Sequence, residues 1–232
     1  MERTSNGTNS GAAGFPPAAG RRSAAGGGRR VPGRLAAAAA LAALLACAGR
    51  PAARVPPLVD IGARAPELLL DIRYATADNF LGRAVYDTAR CLLAADAADR
   101  LLAAEAALRE QGYRLVVWDC YRPRSVQYAM WEILPDPTYV ADPATGSRHN
   151  RGMAVDVGLR ALDGSEVALP TDHDDFSPRA HRDAADLPAE AIANRGRLER
   201  TMTAAGWIPL ASEWWHFDAP GWEQNPLRDE PL

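Results

Sequence analysis

The chain holds four histidines, and two of them sit beside acids in patterns that suit metal chemistry. In "SRHNRGMAVDV", His149 lies seven positions before Asp156, with Gly152 between them. A glycine there lets the chain turn, so a loop ligand and a strand ligand can meet on one cation, and imidazole and carboxylate both suit zinc. Alone, such a pair is weak. The second pattern is "SEWWHFDAPG", where Glu213 and His216 flank Trp214 and Trp215. Residues three apart are neighbours on a helix, but the aromatic run favours extended structure. In a regular strand alternate residues share a face, so Glu213 and His216 would point to opposite sides. They can serve one site only at a strand entrance or a bulge.

The elements that must position these residues follow from periodicity and breakers. Leu68, Leu70, Ile72 and Tyr74 alternate as a strand leading into a loop. "DAADRLLAAEAALREQG" predicts a helix with Leu101, Leu102, Ala106 and Leu108 on one face and Gly112 as its cap. A buried strand is expected over 113–119 and a helix over 124–133, stopped by Pro135 and Pro137. A further strand is expected over 152–159. The turn signal "DGSE" makes "EVALP" its hairpin partner. A long helix is bounded by Pro188 and Gly206, and "WIPL" and "EWWHFD" read as two last strands. Strands and helices mix without regular βαβ alternation, which predicts an α+β domain with a central, mainly antiparallel sheet flanked by helices.

Composition narrows the partners. The chain has 232 residues and a formal net charge of −3, and all 26 basic residues are arginine. Residues 1–34 are rich in Gly, Ala, Ser and Pro with two arginine pairs, and an apolar run follows over 35–46. That run is shorter than the roughly 20 residues a membrane span needs. A basic lead, a short apolar stretch and small residues predict an export signal over 1–47. "LLAC" resembles a bacterial lipobox, with Cys47 the residue lipidated to give a membrane attachment. The expected location is periplasmic or membrane-anchored, with cytoplasmic as the alternative. "AGRPAARVPP" reads as a linker over 48–57, and the folded domain is expected over 58–232. Past residue 46, 20 arginines face 28 acidic residues, a net charge of −8 that argues against nucleic acid as a partner. Cys91 and Cys120 are the other two cysteines, and in an exported protein they read either as one disulfide or as two buried thiols.

Taken together, "SRHNRGMAVD", "EWWHF" and "WDCYRP" (118–123) resemble the zinc D-alanyl-D-alanine dipeptidases, which belong with the D,D-carboxypeptidase and hedgehog-type metallopeptidases. "DIRYATADNFLG", "TDHDDFSPRAH" and "NRGRLERTMTAAGW" agree in order, so the resemblance spans nearly all of 58–222. It implies that family's fold and one zinc ion held by His149, Asp156 and His216. It implies Glu213 as the general base and Arg122 as support for the oxyanion. The implied reaction is hydrolysis of D-alanyl-D-alanine to two D-alanines, in cell-wall dipeptide turnover. D,D- or L,D-carboxypeptidase action on peptidoglycan peptides is the alternative, as is a binder of peptidoglycan fragments without turnover.

The substrate-binding residues are implied less directly. Asp174 matches an acidic position suited to the substrate ammonium, although "LPT" (169–171) replaces the family's Met-Gly-Thr. Ser147 suits the substrate carboxylate or a loop cap, and Tyr74 suits the pocket or the core. Trp214 and Trp215 read as pocket wall or core, and Asp119 as orienting Arg122 or ending its strand. His181 reads as holding a loop, and His173 is expected to be exposed.

Overall fold

A computed structural model describes residues 55–232. The export segment, Cys47 and residues 48–54 of the linker lie outside the described residues. In chain order the elements are β1 (Val59–Asp60), α1 (Ile61–Arg64), β2 (Leu69–Leu70), β3 (Leu92–Leu93), α2 (Ala95–Arg109), β4 (Tyr113–Asp119), α3 (Arg124–Ile133), β5 (Ala154–Ala161), α4 (Ala189–Ala204), β6 (Ile208–Pro209) and β7 (His216–Asp218). Five strands form one sheet in the order β2-β4-β5-β7-β6, and β1 pairs with β3. Only β2 and β4 run parallel; the other neighbours are antiparallel. The fold is α+β, as the sequence predicts.

The core follows from residue type. β4 carries Leu115, Val116, Val117 and Trp118, all buried, as β-branched and aromatic side chains on a covered strand should be. α2 lies on β4 and beside α4. Its buried face runs through Ala97, Ala98, Leu101, Ala104 and Leu108, the spacing of one helical stripe. Ala106 is exposed, contrary to expectation, because five residues from Leu101 puts it on the opposite side.

Three other expectations fail for local reasons. The strand expected through Tyr74 is only Leu69–Leu70. After it Arg73 pairs with Asp71 (3.0 Å) and Asp78 (2.6 Å), and the chain coils into a 3-10 turn over Arg73–Ala75. "EVALP" forms no strand, and the Ala168 carbonyl is taken by the Asn194 side chain of α4 (2.9 Å). The strand in "EWWHFD" begins only at His216, because Trp214 N–H donates to the Ala180 carbonyl (2.9 Å) rather than to the sheet.

The register sets what comes next. Asp119 of β4 lies opposite Asp156 of β5, which lies opposite His216 of β7. The β4–β5 ladder slips at Trp118, a bulge that turns Asp119 to the face it shares with Asp156. Gly158 faces the Trp118 ring, where a side chain would collide with it. Cys91 and Cys120 are joined by a disulfide, with Cα atoms 5.2 Å apart, tying the start of β3 to the end of β4. Closing a loop of 29 residues stabilises a fold by about 3–4 kcal/mol in the chain-entropy account. Replacing both cysteines by alanine should therefore lower the urea unfolding free energy by about that amount.

Candidate active site

One end of the sheet becomes a site because the register row ends there. His149 stands on a 3-10 turn over His149–Arg151, closed by Gly152 at φ 66°, a left-handed conformation that glycine adopts without strain. The next residues enter β5, which carries Asp156. Its neighbour β7 opens with His216, and Glu213 lies in the loop between β6 and β7. Arg182 clamps that loop by donating to the carbonyls of Leu210 and His216, each at 2.7 Å. The backbone bends at Trp214 and Trp215, and Glu213 Oε2 comes to 3.7 Å from His216 Nδ1. The bend at a strand entrance is the geometry that cooperation of Glu213 and His216 requires.

Three donor atoms form a small triangle. His149 Nε2 is 3.2 Å from His216 Nδ1 and 3.4 Å from Asp156 Oδ1, and His216 Nδ1 is 3.0 Å from Asp156 Oδ1. Tetrahedral zinc bonds of about 2.0–2.1 Å would space the ligand atoms about 3.3 Å apart. Two imidazoles and a carboxylate on one face leave a fourth position open, the donor set of a catalytic zinc site. The outer atoms of both rings are fixed. His149 Nδ1–H donates to the Cys120 carbonyl (2.6 Å), and His216 Nε2–H to Asp218 Oδ1 (3.0 Å). Each bond selects the tautomer that turns the other nitrogen toward the triangle.

Charge is arranged as tightly. Arg122 lies over the Tyr74 ring at 5.1 Å and donates to Asp119 Oδ2 through Nε (3.1 Å) and Nη2 (2.6 Å), and to Gln127 Oε1 (3.0 Å). Burial opposes its charge, but Asp119, with Tyr74, Tyr86 and Asp156 adding, outweighs it and holds the guanidinium protonated. Asp119 also receives the Tyr86 hydroxyl (2.6 Å). Burial pushes the Glu213 carboxyl up to about 7, with the nearby histidines opposing and Asp156 and Asp174 adding to the rise. Burial likewise raises Asp174, against the pull of His173. Asp156 is held well below the usual carboxylate range, because His149, His173 and His216 overcome its burial.

All eight residues singled out for the site line one cavity of about 280 Å³: Tyr74, Arg122, Ser147, His149, Asp156, Asp174, Glu213 and His216. Some do more than the sequence reading allowed. The Tyr74 hydroxyl holds Asp174 (3.0 and 3.2 Å). Ser147 lines the cavity while its Oγ accepts from His149 N–H (3.2 Å), which is the loop-cap reading. Asp119 orients Arg122. Trp215 lines the cavity and Trp214 is core, with its Nε1–H donating to Thr171 (2.9 Å). His173 corrects the expectation of exposure: its side chain is 1% exposed and reaches Asp156. His181 keeps a loop role through its carbonyl, which accepts from Arg195 (3.3 Å). Asp218, Tyr86, Gln127 and Arg182 were missed. Only Asp218 left a signal, two residues past His216 on the same strand face.

With that geometry in view, the comparisons are consistent. A family described as D-ala-D-ala dipeptidase (Peptidase_M15), a family of metallopeptidases, matches residues 56–229. The chain belongs to this family. Among its relatives, the D-alanyl-D-alanine dipeptidase of Escherichia coli K12 is 39% identical over 170 residues, covering 73% of this chain and 88% of that protein. Those of Enterococcus faecium and Streptomyces coelicolor are 32% and 34% identical, each covering 69% of this chain and 86% of its own. As a member of the family, the chain should depend on its outer hydrogen bonds for metal retention. Asp218→Asn should weaken metal binding by about 10- to 100-fold, measured by competition with a chromogenic chelator, while leaving the fold intact by circular dichroism.

Proposed function

We propose that the protein is a zinc-dependent D,D-dipeptidase that cleaves D-alanyl-D-alanine into two D-alanines. The observation that carries this reading is the triangle of His149, Asp156 and His216, with Glu213 beside His216 and Arg122 in the same cavity. A bound zinc would polarise the scissile carbonyl and make water more acidic. Glu213 takes a proton from the attacking water and returns it to the leaving amine, the work of a general base placed beside the donor triangle. Arg122, immobilised by Asp119 and Gln127, offers charged donors to the oxygen that becomes negative. Asp174 receives the substrate ammonium, and the Ser147 hydroxyl donates to its carboxylate. A cavity of about 280 Å³ lies just below the usual range of ligand pockets, roughly 300–1,000 Å³, which supports a dipeptide over a long wall peptide.

The proposal extends to location. The apolar run after a basic lead, with Cys47 at its end, supports export and lipid attachment. The Cys91–Cys120 bond suits an oxidising compartment. There the enzyme would act on dipeptide released from the wall rather than on a cytoplasmic precursor pool.

Purified zinc-loaded protein should cleave D-alanyl-D-alanine, lose activity on dialysis against a chelator and regain it with zinc. Preference for a muropeptide pentapeptide would favour a carboxypeptidase, and cleavage of neither would overturn the enzymatic reading. Glu213→Ala should retain one zinc per chain by atomic absorption and lose about 100- to 10,000-fold in kcat. Retained turnover would remove Glu213 from the base role. Arg122→Ala should lower kcat by about 100- to 1000-fold in the same assay.

A further inference from the structure

His173 is a buried side chain beside this site that the reaction above does not use. Its ring lies between two carboxylates. Nε2 is 3.2 Å from Asp156 Oδ2, and Nδ1 is 3.4 Å from Asp174 Oδ2. The aromatic rings of Trp118 (5.4 Å), Trp215 (5.6 Å) and Tyr74 (5.9 Å) surround it. A carboxylate oxygen of this kind accepts, so Nε2–H donates to Asp156. The bond reaches Oδ2, whereas Oδ1 is the oxygen in the donor triangle.

The rest of its segment is anchored residue by residue. Thr171 Oγ1 accepts from Trp214 Nε1–H (2.9 Å), Asp172 lies 3.6 Å from Arg73, and Asp174 accepts from Tyr74. Asp174 adopts φ 60°, alone among the described non-glycine residues. Consecutive side chains of an extended chain point apart, and the left-handed residue lets His173 and Asp174 both face the site.

We propose that His173 is a positioning residue and a determinant of substrate length. It confines Asp156 to a single oxygen in the donor triangle, and it fixes the spacing between that triangle and the carboxylate that takes the substrate ammonium. A carboxylate with an unheld second oxygen can rotate, and a metal site loses affinity when such outer bonds go. Asp174 and Asp156 are like charges that would otherwise repel, and a rigid buried ring between them holds their separation. The distance from scissile carbonyl to free amine is then set for one residue, which selects a dipeptide. The inference rests on the dipeptidase reading, and wild-type protein tests that reading separately.

The experiment compares wild type with His173→Phe, which keeps an aromatic ring and removes the Nε2–H donor, and His173→Gln, which retains one donor toward Asp156. Zinc affinity is read by chelator competition, and kcat and KM for D-alanyl-D-alanine at saturating zinc. The Phe variant should bind zinc about 10- to 100-fold more weakly. The Gln variant should stay within about threefold of wild type in zinc affinity. Both should raise KM at least about fivefold with kcat changed less than about threefold, the signature of disturbed substrate placement. Zinc affinity of the Phe variant equal to wild type overturns the proposal, as does an unchanged KM in both variants. If the Phe variant does not fold, the Gln variant decides: raised KM with near-normal zinc affinity supports the role, and unchanged KM overturns it. Failure of wild type to bind zinc or cleave the dipeptide would instead overturn the dipeptidase reading.

Discussion

Three donor atoms from separate segments, two imidazoles and a carboxylate, lie within 3.4 Å of one another in a buried site. Bringing them together without a solvent shell is costly unless every polar atom has a partner. The sheet register bears this constraint. Asp156 and His216 are cross-strand neighbours, and the bulge at Trp118 brings Asp119 into the same row. One rigid ladder thus aligns two donors and the acid that orients Arg122. Only His149 comes from outside the sheet, and its backbone carbonyl accepts from Arg122 N–H (3.1 Å), which joins the two loops.

Around the triangle, each functional group is fixed through its far atom by a different element. The β4 terminus holds His149, β7 itself holds His216 through Asp218, the loop at His173 holds Asp156, and Asp119 holds Arg122. Such buried pairs add little net stability, because desolvation offsets much of their attraction. Their effect is on geometry, since catalysis and metal retention both depend on groups held in one orientation. The hydrophobic core stabilises the frame, while the buried polar network fixes orientation within it.

How much of this was legible in the sequence depended on distance along the chain. Strand β4 and helices α3 and α4 were readable because periodicity, proline and glycine are local signals. So was the bend at Glu213, since strand alternation alone shows that Glu213 and His216 cannot otherwise cooperate. The layer behind the site was not. Tyr86 meets Asp119 across 33 residues and Tyr74 meets Asp174 across 100, and no local pattern marks such pairs. His173 was misjudged because "TDHDDF" is locally polar, and polar loops are usually exposed. Its burial is a tertiary effect: Asp156 offers an acceptor and three aromatic rings offer the walls.

The disulfide joins the chemistry to its surroundings. Cys120 is bonded to Cys91 through its side chain and to His149 through its carbonyl. The residue that closes a 29-residue loop is therefore the one that selects the tautomer of a donor in the triangle. Breaking the sulfur bond would remove one of the ties on the strand end that aims this carbonyl. The sulfur bond thus bears on the aim of His149 as well as on stability, alongside the Tyr121 N–H bond to the Leu92 carbonyl (3.0 Å). An exported enzyme works where such a bond persists, whereas a reducing cytoplasm would tend to open it. The donor triangle and the proposed location are linked through that one residue.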